Sequence, residues 1–454
     1  MSNPQSGPLS SVARVETCLS AIEAWQPHVN AMVTVTADAA RAEAAAADRA
    51  LAAGRWLGLL HGMPMVIKDN LDTAGVRTTS GSLFFKENVP NLDASVVARL
   101  KRAGAVVIGK CTMHEFAFGI RSYNPVIGQA RNPYDLARIP GGSSGGSGIA
   151  VATGMAEAAL GTDTGGSVRL PAAICGITGL RPTSGRVSNN GCLPVSHSHD
   201  TVGPMATSAL DCARIFAVIA GYDDQDPTSD ARPLDNFLPS IGDGISGIRI
   251  GVPKNHYLGG CSDDVVAAFR ASIAKLESLG AKIVDVTVPG AESIQDEATV
   301  MIFSDALAVH ADRLADEAKW GGMTLERLKV GLKFTGRDYA RAVRAKEVWR
   351  RTMARLFQQV DMLASPTIID EPPLIDDGQS LLKATMSVTK NTYCGAFAGL
   401  PGIAVPNGTS RGGLPLSLQL ECAWWNEPIL LRAGHAFQQV TDWHHMRPRI
   451  ARHA

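Results

Sequence analysis

Along the chain, apolar positions return every three to four residues over 10–24, 36–53, 94–103 and 263–279, a period that predicts amphipathic helices. Short apolar or β-branched runs at 63–67, 105–109, 247–252, 281–287, 361–365, 402–406 and 415–421 predict strands. Two helix–strand units share one grammar, Arg99-Leu-Lys-Arg-Ala-Gly-Ala-Val-Val-Ile and Lys275-Leu-Glu-Ser-Leu-Gly-Ala-Lys-Ile-Val. Each helix stops at a glycine and leads into a β-branched run. Such alternation predicts an α/β fold, a mostly parallel or mixed sheet with helices on both faces. The polar stretch 225–246, rich in Asp and Pro, reads as a surface connection, and 289–360 as a mostly helical region able to cover a site.

Between the strand runs, residues 141–183 break the pattern with two Gly-Gly-Ser turns, Gly141-Gly142-Ser143 and Gly165-Gly166-Ser167. Glycine permits positive φ and close backbone approach, so the serines that follow are presented hydroxyls. A Gly/Ser-rich run alone reads as a linker. Here Ile149-Ala150-Val151-Ala152 and Ala158-Ala159-Leu160 interrupt it and call for burial. Upstream, Met65-Val66-Ile67 leads into Lys68, a strand-like run that would desolvate an amine. Two serines and a lysine are the parts of a histidine-free serine hydrolase.

These segments resemble the amidase signature family, hydrolases with a Ser–cis-Ser–Lys triad. The likeness is carried by Gly161-Thr162-Asp163-Thr164-Gly165-Gly166-Ser167-Val168-Arg169, Pro171-Ala172-Ala173, Cys175-Gly176 and Arg181-Pro182-Thr183. Outside that block, Gly62-Met63-Pro64, Arg131-Asn132-Pro133, Val202-Gly203-Pro204 and Ala398-Gly399-Leu400-Pro401-Gly402-Ile403 extend it. The resemblance implies one large α/β/α domain over 1–454, with a core motif at 62–220 and a variable, cap-like helical region at about 289–360. It implies Ser167 as nucleophile, Ser143 as the cis-serine relay and Lys68 as base. It places an oxyanion hole at the N–H groups of Thr164, Gly165, Gly166 and Ser167. Ser144, Asp163 and Arg169 are expected to support the site through hydrogen bonds. Asp69, if Lys68 lies on a strand, points to the opposite face.

Two other motifs compete. Gly142-Ser143-Ser144-Gly145-Gly146 satisfies G-x-S-x-G, with Ser144 as an esterase nucleophile and His435, His444 or His445 as partner. A nucleophile elbow must follow a buried strand, whereas 131–140 is loop-like. Gly104-Ala105-Val106-Val107-Ile108-Gly109-Lys110 resembles a P-loop, but Cys111 replaces the Ser/Thr that holds magnesium and the run reads as a strand.

Zero net charge argues for neither nucleic acid nor an anionic membrane. Eight scattered cysteines without C-x-x-C pairing fit buried thiols in a reducing compartment. The Met1-Ser-Asn-Pro-Gln-Ser-Gly start has neither a basic nor an apolar signal segment, and no apolar run would span a membrane, so a cytoplasmic enzyme is expected. No metal or cofactor is expected, since His197, His199, His444 and His445 lack further ligands at suitable spacing.

The triad specifies a reaction class and leaves the substrate open. Leu170 and Thr389 stand where the family's amidotransferase subunits tend to be polar and acidic. That favours a stand-alone hydrolase of small hydrophobic or aryl amides, extending to carbamates (urethanes) and aryl esters. The expected pocket is Phe116, Phe118, Ile120, Tyr123, Leu170, Ile174, Phe397 and Trp424, and the expected state is a monomer or homodimer acting on a small molecule. The alternatives are an amidotransferase A-type subunit that releases ammonia from glutamine, the Ser144 esterase, and a scaffold without activity.

Overall fold

In the computed structural model, which describes residues 10–449, eleven strands form one sheet. In chain order they are β1 (Met32–Val35), β2 (Pro64–Lys68), β3 (Val106–Cys111), β4 (Ala158–Thr162), β5 (Thr178–Arg181) and β6 (Val202–Ala206). There follow β7 (Arg249–Pro253), β8 (Lys282–Val286), β9 (Met362–Pro366), β10 (Gly402–Thr409) and β11 (Pro415–Cys422). Across the sheet the order is β1-β3-β2-β4-β6-β5-β10-β11-β9-β7-β8. The segments β3-β2-β4 and β9-β7-β8 are parallel, and the strands between them are antiparallel. The sheet is therefore mixed, as the helix–strand alternation predicts. The Met1–Gly7 segment lies outside the described residues.

Helices cover both faces because the central strands are apolar on both sides. Strands β2, β4, β9 and β11 are buried at every position. One large cluster packs Met65, Leu160, Ile403 and Leu420 under α3 (Ser95–Arg102), α6 (Ala209–Ile219) and α13 (Glu427–Gln438). Another gathers Val66, Ala159 and Ala404 against α1 (Ser11–Val29) and α4 (Gly145–Ala152). The predicted strands all form, within one to three residues of their expected ends. Strands β1, β4, β5 and β6 were not among the expected ones. Three of them are Gly- or Pro-containing segments whose strand character comes from their neighbours in the sheet. The P-loop-like run is β3, and buried Lys110 donates to Leu71 O at 2.7 Å and Thr78 Oγ1 at 2.6 Å.

A third apolar cluster lies over one end of the sheet. It is built by α8 (Ile294–Val309), α9 (Gly322–Lys329), α10 (Gly336–Gln359) and α12 (Thr392–Ala398). Among the described residues no helix is long and apolar enough to cross a membrane.

Candidate active site

Parallel neighbours place their C-terminal ends at one edge of a sheet. Strands β2 and β4 are such neighbours, Ile67 standing opposite Leu160. Lys68 ends β2 and Thr162 ends β4, so both arrive at the same edge. The turn 163–168 follows β4 and carries Ser167 into α5 (Arg169–Ile174). Ser143 enters the same region from the N-terminal side of α4.

The Lys68 amine is fully buried. Its Nζ lies 2.7 Å from Ser143 Oγ and 2.6 Å from Thr162 Oγ1. Burial lowers its pKa to about 7, against which Cys192, Asp200 and Asp163 pull upward only in part. A buried lysine near 7 is half neutral at physiological pH and can accept a proton. The Gly142–Ser143 peptide bond is cis. Ser143 itself is fully buried, and its carbonyl accepts from His114 N–H at 3.1 Å. Asp69 turns to the other side, accepting from Thr79 N at 3.0 Å and lying 3.7 Å from Lys110 Nζ.

Asp163 organises the turn that presents Ser167. Its carboxylate accepts from Gly166 N at 2.7 Å, Val168 N at 3.3 Å and Arg169 N at 3.4 Å. Arg169 Nε at 3.1 Å and Arg181 Nη1 at 2.9 Å complete its shell. Desolvation raises the Asp163 pKa, yet the two guanidiniums and these donors outweigh it and hold the carboxyl well below the ordinary range. Arg169 also bonds Gln419 at 2.9 Å and Glu421 at 3.1 Å on β11, tying the turn to the far half of the sheet. Thr164 Oγ1 donates to Asp200 at 2.5 Å, and Asp200 accepts from Val195 and Ser196 N–H groups. A Cβ on Gly165 would stand 2.1 Å from the Tyr393 ring, and Gly166 has φ +138°. These two positions therefore require glycine.

Of the four N–H groups expected to form an oxyanion hole, that of Gly166 is already given to Asp163. Those of Thr164, Gly165 and Ser167 bond to no atom among the described residues. This is a correction to the expected set of four: the Asp163 carboxylate claims the third donor to fix the turn.

Ser144, the candidate of the elbow reading, is fully buried. Its hydroxyl donates to Thr162 O at 3.2 Å and accepts from Thr162 N at 3.3 Å. It follows no strand, and among the described residues it bonds none of His435, His444 and His445. The elbow geometry is absent there.

Ser167 opens into a narrow cavity of about 30 Å³, lined by Phe118, Ile120, Thr164, Gly165, Ile302, Arg327, Thr385, Thr389 and Tyr393, among others. Only Phe118 and Ile120 of the eight expected pocket residues line it. Phe116 packs between Phe84, His310 and Trp320. Tyr123 lies in a short hairpin with Gln129. Leu170 joins an apolar cluster with Ile174, and Ile174 borders a different cleft near Arg138 and Glu371. Phe397 stacks on His199, and Trp424 donates to Ala398 O at 2.8 Å. These six failed because aromatic content alone cannot separate pocket wall from core.

The residue that sequence reasoning missed is Arg327 on α9. Its side chain is buried beside Phe118 and Phe303, with the guanidinium 4.7 Å and 4.6 Å from their ring centroids. Nη1 donates to Thr385 Oγ1 at 2.7 Å, Nε has no partner, and Arg327 forms no ion pair among the described residues. Burial draws its pKa below the ordinary arginine value. No motif marks Arg327, which lies in the variable, cap-like helical region at about 289–360.

A buried lysine on Ser143, beside a Gly-Gly-Ser turn locked by Asp163, is the arrangement that the amidase signature implies. The family model for Amidase matches residues 13–431. This chain belongs to the amidase signature family. Its members act on C–N bonds. A relative from Roseiflexus sp. (strain RS-1), the A-type subunit of a glutamyl-tRNA(Gln) amidotransferase, is 40% identical, the match covering 97% of this chain and 95% of that protein. The structure of the A-type glutamyl-tRNA(Gln) amidotransferase subunit from Thermotoga maritima is 31% identical with a TM-score of 0.80, covering 95% and 93% of the two chains. A chain from "an unexpected vestigial protein complex", described as revealing the origins of an s-triazine catabolic enzyme, is 34% identical. It has a TM-score of 0.91 and the match covers 97% of both chains.

These amidase relatives overturn two expectations. A stand-alone hydrolase of hydrophobic or aryl amides and carbamates is at odds with eight curated relatives at 36–40% identity, each named as an A-type amidotransferase subunit. A monomer or homodimer serving only a small molecule is likewise at odds with proteins named as subunits. Leu170 and Thr389 misled because neither sets the charge of the cavity. Arg327, from a distant helix, does.

Proposed function

We propose that this chain is an amidotransferase A-type subunit that hydrolyses the side-chain amide of glutamine at Ser167 and releases ammonia. The observation that carries the reading is Arg327. An arginine buried without a counter-ion is costly unless an anion completes its site, and this one lines the same cavity as Ser167. The carboxylate of an amino-acid amide fits that role, and relatives named as glutamyl-tRNA(Gln) amidotransferase subunits support glutamine as that amide. Thr389 and Thr385 supply neutral polar contacts on the same wall.

In the proposed cycle, neutral Lys68 takes the Ser143 proton as Ser143 takes that of Ser167. Ser167 Oγ attacks the carboxamide carbon. The oxyanion accepts from the free N–H groups of Thr164, Gly165 and Ser167. The C–N bond breaks as nitrogen receives the relayed proton, giving ammonia and a glutamyl ester on Ser167. Water, deprotonated through the same relay, cleaves the ester to glutamate. Ser144 keeps Thr162, and so Lys68, in place. Asp163 and Arg169 do the same for the turn.

The test is ammonia and glutamate release from glutamine by the purified full-length chain, compared with an uncharged amide of similar length. Release from glutamine that disappears in Ser167→Ala supports the reading. Equal or better hydrolysis of the uncharged amide, unaffected by Arg327→Met, would overturn it.

A further inference from the structure

Helix α10 carries seven basic and two acidic side chains in a chain whose net charge is zero. Two of the basic residues turn inward. Lys346 donates to Ser198 O at 2.8 Å, and Arg350 lies 5.0 Å over the Trp424 ring. The remaining five, Arg337, Arg341, Arg344, Arg351 and Arg355, are all exposed. At 100° per residue they fall within about 80° of arc and span about 27 Å of helix. Their mutual repulsion is offset little. Arg341 lies 3.7 Å from Glu297 and 3.8 Å from Asp338, and the other four form no ion pair among the described residues.

The row is interrupted at its centre by Val348, which is 57% exposed. Beside it runs a shallow groove of about 310 Å³ between α8 and α10, lined mainly by the apolar Pro289, Ile294, Ala345, Val348 and Trp349, with Ser293, Thr352 and the Arg341-paired Glu297 at its edges. Arg341 and Arg344 stand on its rim. A phosphate backbone would pair with the arginines but would leave this apolar floor wet. An apolar strip flanked by carboxylates would cover both. We propose that the α8/α10 face docks an acidic amphipathic helix of a partner protein, whose apolar side fills the groove and whose Asp and Glu residues pair with the arginine row. The inference uses none of the Ser167 chemistry and stands apart from the glutamine reading.

The test uses the full-length protein and a fluorescein-labelled helical peptide of roughly twenty residues, with leucines on one face and glutamates flanking them. Two controls accompany it, a scrambled peptide of the same composition and a short RNA duplex. Fluorescence anisotropy should show saturable binding of the amphipathic peptide. Both Val348→Asp and the Arg344→Glu/Arg351→Glu double variant should weaken that binding by about tenfold or more. The scrambled peptide should bind at least about tenfold more weakly. Circular dichroism and glutamine hydrolysis should match the parent in both variants. Three results would each overturn the proposal: no saturable binding of the amphipathic peptide, equal binding of the scrambled one, or arginine-dependent binding of the RNA duplex alone. Failure of the glutamine reading would show instead as absent ammonia release in parent and variants alike.

Discussion

Two buried arginines of this protein behave in opposite ways. Arg169, at the turn that presents Ser167, meets Asp163, Glu421, Gln419 and the Thr392 carbonyl. Arg327, across the cavity, meets a threonine hydroxyl and two aromatic faces and leaves Nε without a partner. The first has its charge neutralised within the fold, so its site is rigid before any ligand arrives. The second has no carboxylate partner among the described residues, and the proposed glutamine carboxylate would answer its charge. The contrast separates a turn whose charges are balanced within the fold from a cavity wall that keeps a cation without a carboxylate beside it.

The strongest way to break the comparison is at Ser167, the proposed nucleophile. Ser167→Ala should reduce glutamine-dependent ammonia release by about 10⁴-fold or more while leaving thermal unfolding unchanged. A smaller loss would mean that another hydroxyl attacks. Asp163→Asn should act on stability as well as rate. It leaves Arg169 and Arg181 buried with less counter-charge, a loss of about 3–5 kcal/mol, measurable by denaturant unfolding. An unchanged midpoint would show that Glu421 and the carbonyls suffice. Arg327→Met should have the reverse signature. Stability should hold or rise, because an unpaired buried cation is removed, while KM for glutamine climbs about 10–100-fold. A fall in stability would make Arg327 a structural residue. The mildest perturbation is pH. Burial has lowered the Lys68 pKa to about 7, so the neutral base predominates above that value. Going down in pH the amine is protonated, and kcat/KM should drop by about tenfold per unit below 7. A profile flat from pH 8 to about 5 would exclude Lys68 as the base.

The two regions were also unequally visible in the sequence. Lys68, Ser143, Ser167, Asp163 and Arg169 stand in short continuous segments, each with local signs: an apolar strand run, paired glycine turns, an acid four residues before the serine. The position of β3 was legible because its β-branched run has no other stable use. The cavity was not legible. Phe118 and Ile120 were found, but Phe116, Tyr123, Leu170, Ile174, Phe397 and Trp424 pack elsewhere, since apolar side chains serve core and pocket alike. Arg327 and Thr385 were invisible because their approach to Ser167 depends on how α9 and α11 (Leu381–Val388) fold over the sheet edge. The mistaken preference for a hydrophobic, stand-alone substrate follows from that gap.

What the sequence alone determined is the α/β alternation, the membership implied by the signature and the order Lys68, Ser143, Ser167. These follow from local periodicity and from glycine positions that no other residue can occupy. Only the tertiary structure decided that Gly166 gives its N–H to Asp163 and so leaves three donors free, that burial lowers the Lys68 pKa to about 7, and that Arg327 lines the same cavity as Ser167. The physical reason is common to all three. Burial and charge at one point are sums over groups far apart in the chain, and a linear pattern does not encode those distances.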